Sequence, residues 1–148
     1  MVERDNIIID GAGYMVQGTG SETGISLTER SNITLTNMEI KAFEWGIWLR
    51  ASSNNTISGN KITGNIFDGI FLSLSSLNNS ISGNNLINNM FGIVIEFSNY
   101  NSIFGNDIEN NTYCGILLDW HSNYHSISGN NIANSRYGVL LGYSSNNS

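Results

Sequence analysis

The chain has 148 residues, a length that fits one domain, with only 12% charged residues and a formal net charge of −6 at pH 7. Six Lys and Arg against twelve Asp and Glu exclude a basic nucleic-acid-binding surface, so no nucleic-acid partner is expected. The single cysteine excludes an intrachain disulfide, and no apolar run is long enough to insert this segment into a membrane.

A repeat of about 23 residues runs through the chain. The unit Gly-Ile-x-Leu recurs with small variations, and the gaps between its glycines are 22, 23, 23, 23 and 23 residues. These glycines are Gly24, Gly46, Gly69, Gly92, Gly115 and Gly138. A fixed period of this length is typical of solenoid proteins, in which each unit buries its apolar face only against its neighbours.

Each repeat contains three short strand-like stretches in a fixed order. The first resembles residues 55–60, Asn-Thr-Ile-Ser-Gly-Asn, the second centres on one apolar residue such as Ile62, and the third is Gly-Ile-x-Leu. Asn, Ser and Gly separate the three, and no stretch has helical spacing. The sequence therefore predicts an all-β, right-handed parallel β-helix of about six coils, each with 22–24 residues and three short strands. We expect residues 1–148 to form a single such domain, a fragment that lacks one or both caps.

Strand alternation assigns the side chains of the third stretch to two faces. Residues one and three places after each glycine are predicted to stack inward as the core. Residues five places after it are also assigned inward, namely Ala51, Leu74, Phe97, Trp120 and Tyr143. Residues two places after it are assigned outward and form the "outward column", which consists of Trp48, Phe71, Val94, Leu117 and Leu140. An exposed apolar stripe indicates a contact surface for another protein or, through its aromatic rings, for sugar.

Asparagines near the end of the first stretch are predicted to form a ladder, in which side-chain amides bond the coils above and below. They are Asn37, Asn60, Asn84, Asn106 and Asn130. Five equivalent copies favour an architectural role over a catalytic one.

Two acidic residues on adjacent coils are the catalytic candidates. Glu96 and Asp119 lie four places after their glycines, on the outer face, and His121 follows on the same side. Carboxyl groups about 5 Å apart could share a proton, bind a hard cation or act as in a retaining glycosidase. Their neighbours Val94 and Leu117 are not sugar-gripping polar side chains, which favours a surface charge pair. We therefore assign no catalytic residue and keep these three as weak candidates.

The units Asn-Thr/Ser-Ile-Ser-Gly-Asn-x-Ile, Gly-Ile-x-Leu and Ser-Ser-x-Asn resemble the NosD-like family of parallel β-helix repeats over residues 6–148. The resemblance implies a periplasmic or surface-exposed protein. Members of the family include copper-site maturation proteins, and the wider superfamily includes carbohydrate-binding and sugar-cleaving proteins. The repeat therefore specifies the fold more strongly than the activity.

Copper handling would need soft ligands, and Cys114, His121 and His125 lie within one coil. The segment from His121 to His125 is predicted to be a corner, so the two imidazoles do not share a helix face. His125 also takes the repeat position that other coils give to Asn55, Asn79 and Asn101. We therefore predict no metal site and no cofactor.

The sequence favours a non-enzymatic scaffold or binding domain of an exported protein, located outside the cell, on its surface or in the periplasm. Its export signal would lie outside this segment. The expected partner is protein, by self-association or from a flanking domain, or polysaccharide, held by the outward column. Two alternatives stay open: a polysaccharide-cleaving hydrolase or lyase that uses Glu96 and Asp119, and a NosD-like copper-handling protein.

Overall fold

The computed structural model describes residues 1–148 as a parallel β-helix of about six coils. Eighteen strands form three six-stranded sheets, and each strand pairs in parallel with its equivalents in the neighbouring coils. The predicted fold class is confirmed. No helix is present that is long and apolar enough to cross a membrane.

Each sheet takes one strand from every coil. The first sheet contains β1 (Ile7–Asp10), β4 (Ile33–Thr36), β7 (Thr56–Ser58), β10 (Ser80–Ser82), β13 (Ser102–Phe104) and β16 (Ser126–Ser128). The second contains β2 (Met15–Gln17), β5 (Glu39–Lys41), β8 (Lys61–Thr63), β11 (Asn85–Ile87), β14 (Asp107–Glu109) and β17 (Asn131–Ala133). The third contains β3 (Thr23–Thr28), β6 (Trp45–Arg50), β9 (Asp68–Ser73), β12 (Phe91–Glu96), β15 (Cys114–Asp119) and β18 (Tyr137–Leu141).

The core is a stack of aliphatic side chains in columns along the axis. Ile47 pairs with Ile70 and Ile70 with Ile93, and all three are fully buried. Burying a side chain of this size contributes about 1.5–3 kcal/mol, so the superposed columns supply the main driving force for folding. The positions one and three places after the glycine face inward as predicted. In the last coil Val139 and Leu141 are about half exposed, because no coil of this structure covers them.

The glycine of the Gly-Ile-x-Leu unit interrupts the alternation of the third sheet. A Cβ atom at Gly46 would lie 2.6 Å from the carbonyl oxygen of Gly69 and 2.6 Å from Cγ2 of the core residue Ile62. The glycine position therefore faces inward, as does the isoleucine after it, and no larger residue fits. Consequently the residue before the glycine and the residue two places after it share the outer face, as Asp68 and Phe71 do.

One assignment from alternation was wrong. The residues five places after the glycine face solvent and not the core, with Phe97 45% and Trp120 48% exposed. The backbone φ of both residues is close to +50°, a left-handed conformation that turns the chain and directs the side chain outward. The residues that were wrongly assigned inward are Ala51, Leu74, Phe97, Trp120 and Tyr143. Buried serines take the inward position one or two residues later, at Ser52, Ser76, Ser98 and Ser122.

Candidate functional site

An asparagine ladder holds the corner between the first and second sheets. The side-chain amide of Asn60 donates to Oδ1 of Asn84 at 3.0 Å, and Asn84 repeats this bond to Asn106 at 3.0 Å. Asn106 continues it to Asn130 at 2.9 Å. Each amide also donates to a backbone carbonyl of the preceding coil, as Asn84 does to Ile57 at 2.9 Å. These side chains therefore satisfy buried turn groups, and the amides of Asn60, Asn84 and Asn106 have no spare donor for a ligand.

Asn37 does not belong to this ladder, which corrects the sequence assignment. The backbone N–H of Met38 donates to Oδ1 of Asn60 at 3.1 Å, so Met38 occupies the ladder position in that coil. Asn37 has a φ of 53° and takes the left-handed turn position that Gly59 fills in the next coil. Its exposed side chain donates to Oδ1 of Asp10 at 3.1 Å.

Two more ladders occupy the other corners. Asn55, Asn79 and Asn101 form one, and the backbone N–H of Asn101 continues it to Nδ1 of His125 at 3.0 Å. A third ladder, which the sequence analysis missed, joins Asn65, Asn89 and Asn111. Its signal was the same recurrence of asparagine at intervals of 24 and 22 residues. Asparagine-rich composition in this chain is therefore mainly architectural.

The three soft-metal candidates do not converge. Cys114 is buried, its thiol donates to the carbonyl of Ile116 at 3.1 Å, and burial raises its pKa. Both ring nitrogens of His125 are engaged, because Nε2 contacts the carbonyl of Ser98 at 3.0 Å, and burial lowers its pKa. His121 lies exposed in the turn after β15. No group of three or more His, Cys, Asp and Glu side chains is arranged to hold a metal ion, so this donor set does not fit copper.

The outward column lies on the outer face of the third sheet, but it is not an open stripe. The rings of Trp48 and Phe71 stack with centroids 5.9 Å apart, and the Trp48 indole N–H donates to Oγ of Ser73 at 3.0 Å. Val94 is only 4% exposed, and the other members are partly buried. The side chains of the outward column therefore lie low on this face and do not project into solvent.

A groove of about 260 Å³ opens on this floor. Trp45 packs against Phe67 at 5.7 Å between ring centroids and against Trp48 at 5.5 Å, which builds one side of the groove. Its lining residues are Trp45, Phe67, Asp68, Phe71, Met90, Phe91, Val94, Glu96 and Leu117. The groove is therefore apolar and aromatic, with two carboxyl groups.

Asp68 is the unusual residue of the groove. Asp68 pairs in register with Phe91 of the next coil, and Trp45 occupies the equivalent strand position in the preceding coil. The side chain of Asp68 is buried, with only 7% of the residue exposed. Burial, with a smaller contribution from the negative charge of Glu96, raises the pKa of Asp68 to about 7, while a hydrogen bond from Trp45 opposes the shift. Sequence reasoning missed this residue because it considered only positions after the glycine. The sequence signal for Asp68 is its place directly before the repeat glycine, where the neighbouring coils carry the aromatic residues Trp45 and Phe91.

Glu96 and Asp119 are brought together as adjacent residues of β12 and β15. Burial, and then the charge of Asp119, raises the pKa of Glu96. Oδ1 of Asp119 accepts the backbone N–H of Trp120 at 2.8 Å. The pair thus links the groove, through Glu96, to the aromatic corner that follows.

That corner carries a continuous stack of exposed rings, the "corner column", which consists of Phe97, Trp120 and Tyr143. The Phe97 and Trp120 rings are stacked with centroids 6.0 Å apart, and Trp120 and Tyr143 follow at 5.7 Å. A separate pair, Tyr100 and Tyr124, stacks at 5.1 Å and is also about half exposed. These rings contribute little to the core.

The largest cavity, about 430 Å³, lies elsewhere, over the turns near the start of the chain. Its charged groups are already paired: Lys61 binds Glu39 at 3.0 Å, and Asp10 accepts the backbone N–H of Ala12 at 2.8 Å and the amide of Asn37. Those hydrogen bonds lower the pKa of Asp10. The cavity is polar and internally satisfied, so the third sheet presents the better candidate site.

The fold and this face define a parallel β-helix with an aromatic, carboxyl-bearing outer surface. A family model described as "Periplasmic copper-binding protein (NosD)" matches residues 3–148, and the chain belongs to this family. No individually curated protein matches the chain significantly.

Solved structures share the architecture. A mutant of the periplasmic alginate epimerase AlgG superposes with a TM-score of 0.83 at 22% identity over 97% of this chain and 40% of that one. The enzymatically active domain of bacteriophage CBA120 tailspike protein 2 follows at 0.69, with 18% identity over 84% of this chain and 21% of that one. The A-module of the Azotobacter vinelandii mannuronan C-5 epimerase AlgE6 gives 0.64, with 15% identity over 97% and 51%. At these identities the likeness shows the fold, and this chain spans less than half the length of AlgG.

Proposed function

We propose that this NosD-family β-helix is an exported, non-enzymatic scaffold that binds polysaccharide along the outer face of its third sheet. The polymer would contact the groove and the corner column, with the outward column as the floor between them. A periplasmic or extracellular location is part of the proposal, and the periplasmic description of the family supports it.

The corner column is the observation that carries the proposal. Phe97 and Trp120 are almost half exposed and Tyr143 is 77% exposed, yet their rings are held in a stack by the left-handed turn at each residue. Ordered rings that recur once per coil form a continuous apolar strip parallel to the axis. Such a strip offers one apolar aromatic contact per coil to successive sugar rings, and its order limits the entropy lost on binding.

The solved relatives support the same class of ligand. Two of them are named as epimerases of alginate or mannuronan, which are polysaccharides. Both superpose on nearly the whole of this chain. Their identities to this chain are too low to transfer a residue or a substrate. They favour polysaccharide over protein as the partner of this face.

Replacement of the stacked rings tests the proposal. The double variant Phe97→Ala with Trp120→Ala should bind a polysaccharide panel at least about tenfold more weakly, with little change in melting temperature, because these rings lie outside the core. Tyr100→Ala with Tyr124→Ala is the matched control, since it removes another exposed stacked pair. Unchanged glycan binding by the first variant would contradict the proposal. Loss of self-association in sedimentation, with no glycan bound by the wild type, would instead support a protein partner.

Polysaccharide cleavage is the second candidate, and the raised pKa of Glu96 beside Asp119 favours it. A carboxyl group with a raised pKa beside a second carboxyl group is the arrangement that an acid–base pair needs. Reducing-sugar and unsaturated-product assays on every polysaccharide that binds would detect turnover. Turnover that is lost in Glu96→Gln would establish an enzyme, whereas binding without turnover supports the scaffold.

A further inference from the structure

The carboxyl group of Asp68 has no counter-charge within the chain. The two ion pairs of the structure, Lys61 with Glu39 and Arg30 with Asp5, lie on other parts of the molecule. The other charged lining residue of the groove, Glu96, is also an acid. A buried carboxylate without a cationic partner is costly, and neighbouring coils fill the same register with Trp45 and Phe91. The fold therefore does not require an acid at this position.

The walls of the groove suit a cation. Four aromatic side chains line it, namely Trp45, Phe67, Phe71 and Phe91. Aromatic faces attract ammonium groups within about 6 Å, and the attraction is strongest where water is excluded. Asp68 and Glu96 add two acceptors for the N–H groups of a primary ammonium. At about 260 Å³ the groove is below the ~300–1,000 Å³ of drug-sized pockets, so it has room for one ring-sized group.

We propose that the groove binds the protonated amino group of an amino sugar, with Asp68 as its ion-pair partner and the surrounding rings as its cation–π cage. The inference rests on the proposed function, because it names the class of polysaccharide that the third sheet would hold. It also sets this chain apart from binders of uronate polymers. Glu96 and Asp119 on the same face would repel the carboxylates of such a polymer.

The protonation of Asp68 is consistent with this geometry. Burial holds the pKa of Asp68 at about 7, so near neutral pH a bound proton compensates part of the negative charge. A bound ammonium would replace that proton and lower the pKa of Asp68. The site thus exchanges one positive charge for another.

The test compares two oligosaccharides that differ at one nitrogen, which is a protonatable amine in one and a neutral acetamide in the other. Oligomers of β-linked glucosamine and their fully N-acetylated counterparts are titrated by calorimetry at about pH 7, with alginate oligomers as the acidic arm. The wild type should bind the amino form at least about tenfold more tightly than the acetylated form. Asp68→Asn should remove this preference, because the amide keeps the shape and loses the charge. Asp107→Asn, which removes a carboxylate from the second sheet, should keep it.

The outcomes distinguish failure of the inference alone from failure of the proposed function. Equal binding of the amino and acetylated forms, tighter binding of alginate, or an unchanged preference in Asp68→Asn would overturn the inference while polysaccharide binding stands. Failure of the wild type to bind any polysaccharide would overturn both. Circular dichroism of Asp68→Asn, which should match the wild type, excludes unfolding as the cause of a lost preference.

Discussion

At the scale of single residues, Asp68 departs most from what the fold requires. It is 93% buried in an aromatic groove, where an ionised carboxylate is poorly solvated. Its pKa therefore rises from 3.8 to about 7. Between these two values the folded state keeps a proton that the unfolded chain has lost, so the free energy of unfolding decreases as pH rises through this range.

Asp68→Asn should reveal this dependence. The amide resembles the protonated acid, so the variant should match the wild type near pH 4 and exceed its stability near pH 8 by roughly 2–4 kcal/mol. Urea denaturation at both pH values measures the difference, and Asp107→Asn controls for net charge. A variant less stable than the wild type at the higher pH would show that Asp68 makes a stabilising interaction as a carboxylate.

At the scale of strands and turns, the sequence predicted the parts governed by strict repetition. The spacing of Ile47, Ile70 and Ile93 was enough to predict their superposition, because a solenoid must place equivalent residues in register. The turn at Phe97 and Trp120 was not predictable by alternation, because a positive φ in a non-glycine residue reverses the face of the side chain. Asn37 was misplaced for the related reason that it replaces a turn glycine.

His125 makes the stability of one asparagine ladder, that of Asn55, Asn79 and Asn101, sensitive to low pH. Its Nδ1 accepts the backbone N–H of Asn101, which assigns the neutral tautomer with the proton on Nε2, facing the Ser98 carbonyl. Burial lowers its pKa below the ordinary 6.5, so the unfolded chain binds a proton before the folded chain does. Stability is therefore lost as pH falls below about 6.5.

His125→Asn should reduce that loss, since asparagine fills this ladder position in four other coils, at Asn55, Asn79, Asn101 and Asn147. Between about pH 7 and pH 5 the wild type should lose stability relative to the variant, because the unfolded wild type gains a proton that the folded wild type binds less readily. Thermal melts at the two pH values measure it. His121→Asn, at the other and exposed histidine, should behave as the wild type, and the same acid sensitivity in His125→Asn would contradict the ladder account.

At the scale of the whole molecule, the repeat builds three sheets, and the candidate site lies on the outer face of the third sheet. The core, the corner ladders and the column of buried serines account for most buried side chains, and they follow from the repeat alone. The candidate site consists of departures from the repeat: an acid among aromatic residues, a pair of carboxyl groups and rings at a left-handed turn. Repetition predicts the scaffold, whereas residues that differ between coils have no periodic signal, and this is why Asp68 and the direction of the corner column were missed.

All three tryptophans of the chain lie on the proposed binding face: Trp45 lines the groove, Trp48 belongs to its floor and Trp120 to the corner column. Titration of intrinsic tryptophan fluorescence with amino-sugar oligomers therefore tests the central claim most directly. The account predicts a saturable shift in emission that is weaker in Phe97→Ala with Trp120→Ala. An emission spectrum that no polysaccharide changes, while calorimetry detects binding, would place the ligand on another face and contradict the account.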